Sequence, residues 1–225
     1  MKKILLVALL TAFSFTTFAQ KITLGVKGGL NISTLNYSFP VTSSTGTTNM
    51  NLYPSSIKSF NAGIFADFKF GNISLQPALN FTGKGGEADI ETFDNTGKPL
   101  GTVASTLTFY YLQLPVNIVY HVPVHIGNVY FGAGPYIAKG LSGTSKYPGN
   151  TANGEATTIS NSINFGGDNG FKPIETGIDA IAGFKFANGF LVNINYDLGF
   201  KNTGSIAGTS IKSRVFGVSI GYSFL

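Results

Sequence analysis

Seven charged residues stand at positions where a strand would turn them away from its apolar side: Lys27, Asp67, Lys69, Glu175, Asp179, Lys185 and Asp197. Carboxylates and lysines on one face of a sheet are suited to acid–base work, ion conduction or plain mutual neutralisation. Hydrolytic chemistry would also need a nucleophile with a base, most often a histidine. The chain has only two histidines, His121 and His125, in the run His121-Val122-Pro123-Val124-His125. This run reads as a short solvated turn, so a Ser-His-Asp site at the far rim is excluded and no enzyme is expected. The two histidines have no cysteine or acid beside them, which argues against a metal site. Gly166-Gly167-Asp168-Asn169-Gly170 lacks the spaced acids of a calcium loop and reads as a loop tip. No catalytic residue, cofactor or metal is expected, and the seven charges read as a structural network in a packed interior.

The elements that position these charges are strands. From Phe60 to Phe70 every second residue is apolar, with Asn61, Gly63, Phe65, Asp67 and Lys69 between. Successive side chains of a strand point to opposite faces, so the segment has one apolar and one mostly polar face. Eight such segments are read: Lys21–Ser33, Lys58–Phe70, Ile73–Gly83, Ser105–Tyr120, Asn128–Gly140, Lys172–Phe186, Phe190–Phe200 and Ile211–Phe224. Asn128–Gly140 fits either register. Gly71-Asn72 and Ala187-Asn188-Gly189 mark tight hairpins. The connectors alternate: Thr34–Ile57, Lys84–Ala104 and Leu141–Phe171 are long, Lys201–Ser210 is intermediate, and the rest are short. The expected fold is all-β, an eight-stranded antiparallel up-and-down barrel with long solvated loops at one end and short turns at the other. Pro77, Pro115 and Pro135 fall inside strands, where bulges or ladder breaks are expected.

The solvent on each face follows from composition. Charged residues are 11% of the chain, against about 25% in an ordinary soluble domain. Glycine accounts for 29 of 225 residues, and Phe and Tyr for 20 and 10. A lipocalin-like soluble barrel would carry many more charges outside. Here the polar face is built of small residues, such as Gly63, Gly183, Gly199, Gly217, Ser219 and Gly221, as a narrow lumen requires. Aromatic residues cluster at strand ends: Phe60, Phe70, Tyr120, Phe186, Phe190, Phe200, Tyr222 and Phe224. Interfacial girdles occupy such positions, so lipid is expected outside. Lys212 and Arg214 share the lipid-facing parity of the last strand and could reach lipid phosphates from its outer end.

The start of the chain fits export. Met1-Lys2-Lys3 precedes an apolar run from Ile4 to Phe15, and Thr17-Phe18-Ala19 offers a cleavage site. The expected organisation is a signal peptide over 1–19 and a single barrel domain over 20–225. Loss of Lys2 and Lys3 lowers the formal charge from +5 to +3, too weak to suggest nucleic acid. No cysteine is present, so no disulfide contributes.

Gly25-Val26-Lys27-Gly28-Gly29-Leu30-Asn31, Tyr111-Leu112-Gln113-Leu114-Pro115-Val116, Gly132-Ala133-Gly134-Pro135-Tyr136 and the Gly-rich, aromatic-ended last strand carry a resemblance. Together they resemble the PorT-like outer-membrane β-barrel family over nearly all of the chain after residue 19. Glu often stands in that family where this chain has Gln113. The resemblance implies an integral barrel in the outer membrane of a Gram-negative cell, with no settled activity. The expected role is structural or surface recognition through the outer loops, the alternative a narrow pore or accessory part of a secretion system. The expected partners are outer-membrane lipid and an unidentified envelope or extracellular protein.

Overall fold

A computed structural model describes residues 21–43, 46–52, 55–93, 99–150, 156–166, 171–200 and 210–224. The predicted signal segment and the connector at 201–209 lie outside these residues. The described chain forms ten strands: β1 (Lys21–Ser43), β2 (Gly46–Leu52), β3 (Ile57–Phe70), β4 (Ile73–Phe93), β5 (Pro99–Val124), β6 (Gly127–Asn150), β7 (Ala156–Ile163), β8 (Ile174–Phe186), β9 (Phe190–Gly199) and β10 (Ser210–Phe224). All pairings between these strands are antiparallel. Eight of them, β1, β3, β4, β5, β6, β8, β9 and β10, form a closed ring whose seam is β10 on β1. The seam runs in register from Leu24↔Phe224 to Ser38↔Ser210.

The two further strands are continuations of ring strands. β2 pairs with the same edge of β1 that β3 occupies lower down, from Tyr37↔Leu52 to Ser43↔Gly46. β7 likewise lies on the edge of β6 that β8 occupies lower down. The expectation of long irregular loops is therefore corrected. β1, β4, β5 and β6 run well past the apolar band, and the connectors 34–57, 84–104 and 141–171 are largely β-ladder. These stretches are rich in Thr, whose β-branched side chain suits extended backbone. Their alternation is weak because neither face is pressed against hydrocarbon, so periodicity could not reveal them.

The short turns follow the sequence. Gly71 has φ +63° while no non-glycine residue among those described has positive φ, so Gly71-Asn72 carries the pattern of a type II′ hairpin. Gly189, at φ +90°, closes the β8–β9 turn. The β5–β6 turn is His125-Ile126, beyond the Tyr120 boundary expected, because β5 continues to Val124. The prolines sit at ladder breaks, as expected, but without bulges. Pairing of β4 with β5 stops after Pro77↔Val116 and resumes at Asn80↔Gln113 in the same register. Pairing of β5 with β6 stops after Pro115↔Tyr136 and resumes at Ile118↔Ala133. The register does shift at Tyr110/Tyr111 and at Thr92/Phe93, away from any of these three prolines.

The outer face is the apolar one. Leu30, Ile64, Ile118 and Ile220 are 70%, 57%, 64% and 59% exposed, while Asp67, Asp179 and Asp197 are buried. The fifth ring strand, β6, turns Val129, Phe131 and Ile137 outward and Tyr130, Tyr136 and Ala138 inward, which resolves its ambiguous register. Aromatic rings gather at both edges of the band. Toward the long hairpins Phe60, Phe81 and Tyr110 stack, with centroids 5.4–5.8 Å apart. At the short-turn end Tyr120 meets Phe131 at 5.7 Å, and Phe186 meets Phe190 at 5.9 Å. Such rings hold a barrel at two membrane–water interfaces.

A cation in the middle of this band would be stranded in hydrocarbon. Ile64→Arg is expected to destabilise the barrel in lipid vesicles by about 2–4 kcal/mol, against about 0–1 kcal/mol for Phe60→Arg at the upper edge. The chain has no tryptophan, so urea titration followed by heat-modifiable gel mobility is the appropriate measurement. Equal costs at the two positions would contradict a lipid-facing band.

Candidate functional site

The residues with chemical potential converge in the lumen. Lys84, which the sequence reading left in a connector, lies in β4 with its side chain fully buried. Its Nζ donates to Glu175 Oε1 at 2.7 Å and lies 3.7 Å from Asp197 Oδ2. Glu175 Oε1 also accepts from Tyr136 OH at 2.6 Å and Ser213 Oγ at 2.9 Å. Lys84 Nζ sits 4.4 Å from the centroid of the Tyr136 ring and 5.5 Å from that of Tyr111. One cation thus joins carboxylates from β8 and β9 across the lumen. The signal was present in the sequence: Lys84 continues the inward parity of Asn80 and Thr82.

The other acids are held by amides. Asp197 accepts from Gln113 Nε2 at 3.0 Å, and Asp179 accepts from Asn117 Nδ2 at 2.7 Å. Gln113 is therefore a donor to a carboxylate here. Lys27 shares a cavity with Asp179 and Asp197, and a second cavity with Asp67, His121 and Lys185. These spaces, of about 10 and 20 Å³, hold on the order of one water each. Gln113 Oε1 and Asn80 Oδ1 beside the first, and Asp67 Oδ1 and Asn193 Nδ2 beside the second, have no protein partner. Such atoms at a polar cavity suit an ordered water. Lys185 Nζ donates to Ser223 Oγ at 3.3 Å. Lys69 is partly buried on the same face near the short turns and makes no ion pair among the described residues.

His121 corrects the expectation of a solvated turn. It lies in β5, 4% exposed, because the strand runs four residues past Tyr120 and keeps its inward parity. Its Nε2 is 2.8 Å from Ser74 Oγ and 3.7 Å from Asp67 Oδ2. This resembles a catalytic trio only in composition. In a working triad the carboxylate orients one ring nitrogen and the nucleophile uses the other. Here both partners meet Nε2, and Ser74 is fully buried. His125 is exposed in the turn.

The rest of the lumen is filled as well. Asn31 Nδ2 donates to Thr82 Oγ1 at 2.9 Å, Asn61 Nδ2 to Asn31 Oδ1 at 2.6 Å, and Ser219 Oγ to Asn61 Oδ1 at 2.9 Å. A Cβ at Gly217 would collide with Asn195 and press on Asn31, so glycine there makes room for the amides. Toward the hairpins the lumen is apolar: Leu35, Phe109, Tyr111 and Ile211 pack with Phe165 and Phe171. The last two belong to the chain between β7 and β8, which turns in over the mouth. They are joined by a bridge and pack on Phe109 at 5.8 and 4.6 Å. The Gly166–Gly170 run lies mostly outside the described residues.

Removing the central cation leaves two buried carboxylates without it. Lys84→Met is expected to cost about 3–5 kcal/mol, and the double variant Lys84→Met/Glu175→Met less than the two single changes combined. Urea unfolding in vesicles by gel mobility tests this. Additive costs would show that the pair is not coupled.

Comparison with known proteins agrees with this architecture. A search of curated proteins finds no match. Solved structures similar to the chain include OprG of Pseudomonas aeruginosa, at 9% identity over 91% of this chain and 97% of that one, TM-score 0.49. The outer membrane protease OmpT of Escherichia coli is 10% identical over 93% and 99%, TM-score 0.47. Neisserial surface protein A is 10% identical over 90% and 98%, TM-score 0.44. The family described as outer membrane protein beta-barrel domain matches residues 18–204. With its closed ring, apolar exterior and filled lumen, the chain belongs to that outer-membrane β-barrel family.

Proposed function

We propose that this barrel is a non-catalytic anchor in the outer membrane that presents its extended hairpins for surface recognition. The observation that carries this reading is the filled lumen. The Lys84–Glu175 pair and the Gln113–Asp197 and Asn117–Asp179 bonds cross the lumen between strands that are not neighbours, and Phe165 and Phe171 pack on Phe109 nearer the hairpins. Hydrated ions need a continuous wet path, and these contacts disfavour the alternative of a narrow pore. The arrangement of Ser74, His121 and Asp67 disfavours turnover. What remains accessible is the polar ladder beyond the membrane, including β7, where Thr157 to Ser162 are exposed.

The PorT-like assignment and cleavage after Ala19 belong to the same proposal. The first is supported by the Tyr111–Val116 and Gly132–Tyr136 segments, the second by the basic, apolar and small-residue order of residues 1–19. A part in secretion is the second reading, and it rests on family analogy alone.

Protein purified into a planar bilayer is expected to give no steady single-channel current. A reproducible open level would overturn the anchor reading in favour of a pore. Because the chain lacks cysteine, Ser160→Cys offers a single attachment point on β7 for a crosslinker applied to intact cells. A reproducible adduct at Ser160→Cys that is absent at Ile64→Cys is expected. Equal labelling at both sites, or no adduct at either, would count against recognition by the hairpins.

A further inference from the structure

Six basic side chains are exposed among those the structure describes: Lys58, Lys139, Lys146, Lys172, Lys212 and Arg214. Asp67, Glu175, Asp179 and Asp197 are buried in the lumen, and Glu87 is partly buried on the β4–β5 hairpin. Toward the short turns the apolar band ends in Phe70, Tyr120, Phe190 and Phe224, all exposed.

Three of these cations fall near one another on β3 and β10, with β1 between them. Lys58 of β3 pairs with Ile32 of β1, which pairs in turn with Phe216 of β10. Arg214 and Lys212 are the next two outward positions of β10, opposite Thr34 and Asn36. With strands about 4.8 Å apart and about 3.4 Å per residue, the Lys58 and Arg214 backbones are about 12 Å apart. That is within the combined reach of two long side chains closing on one anion between them. None of the three forms an ion pair among the described residues. Directly beneath lie Phe60, Leu30, Ile32, Phe216 and Val218, all exposed on the apolar band. A cationic cluster capping a greasy stripe matches a molecule with an anionic head and hydrocarbon tails.

We propose that the β3–β1–β10 rim is a docking site for the phosphorylated headgroup of an outer-leaflet lipid. Arg214 supplies a planar donor fork for phosphate oxygens, Lys58 and Lys212 supply point charges, and the acyl chains lie on the stripe below. This site is independent of what the hairpins recognise, since a channel current or a missing hairpin partner would leave it untouched.

The test uses the full chain, exported and extracted from membranes in detergent, with bis-phosphorylated lipid A as the probe and native mass spectrometry as the readout. Wild type is expected to retain it about tenfold better than the dephosphorylated lipid. The variant Lys58→Gln/Lys212→Gln/Arg214→Gln is expected to lose that preference while keeping heat-modifiable mobility. Lys139→Gln/Lys146→Gln is expected to keep the preference, and inorganic phosphate at millimolar concentration is expected not to displace the lipid. Four results would each overturn the proposal: equal retention of both lipids by wild type, a preserved preference in the triple variant, an equal loss in the Lys139/Lys146 control, or full displacement by inorganic phosphate. If the triple variant fails to fold, the single variant Arg214→Gln is read in the same way, and an unchanged preference in it would overturn the site.

Discussion

Hydrocarbon offers no partner for a backbone amide, so every N–H and C=O at membrane depth must be paired within the chain. That constraint requires the seam between β1 and β10, and the seam requires the rest. Closing eight strands into a ring removes the sheet edges, fixes a narrow interior and leaves the outer face to be apolar. The proline positions show how far the rule bends. Pro77, Pro115 and Pro135 interrupt the ladder locally, yet pairing resumes in the same register on either side.

A narrow ring determines what its interior holds. An eight-stranded lumen is the right width to be filled by side chains and too narrow to leave charges solvated. Lysine and carboxylate must then meet, and Lys84, Glu175 and Asp197 do so from three strands. Amides from β5 donate to Asp197 and Asp179, and single waters fit beside the amide oxygens left over. The aromatic closure at the mouth arises from the same geometry. Phe165 and Phe171, between β7 and β8, find apolar cover over the Phe109 and Tyr111 cluster. Stability and closure are thus one arrangement, and that is why the activity is sought outside the ring, in the hairpins and along the lipid boundary.

The outside carries a second asymmetry that the ring alone does not require. Asp67, Glu175, Asp179 and Asp197 face the lumen, while Lys58, Lys139, Lys146, Lys212 and Arg214 are exposed beyond the aromatic edge at the long-hairpin end. Each end of the barrel therefore meets a different interface, although the apolar band between them is alike all round.

Alternation with period two was enough to find the eight ring strands, their lipid-facing residues and the tight turns at Gly71-Asn72 and Ala187-Asn188-Gly189. Hydrocarbon on one face imposes a pattern that any local reading detects. The same reading gave way where that pressure ends. Beyond the band neither face meets hydrocarbon, so β2, β7 and the outer lengths of β1, β4, β5 and β6 read as loops. Lys84 and His121 lay just past the boundaries drawn and were assigned to connectors, although their parity already turned them inward. Sequence by itself determined the wall, because each residue's side of a strand is a local property. Tertiary structure alone decided who meets across the lumen, because that depends on closure and register: Lys84 with Glu175, Gln113 with Asp197, and Lys58 beside Arg214 are contacts or neighbours made only when distant strands are brought into one ring.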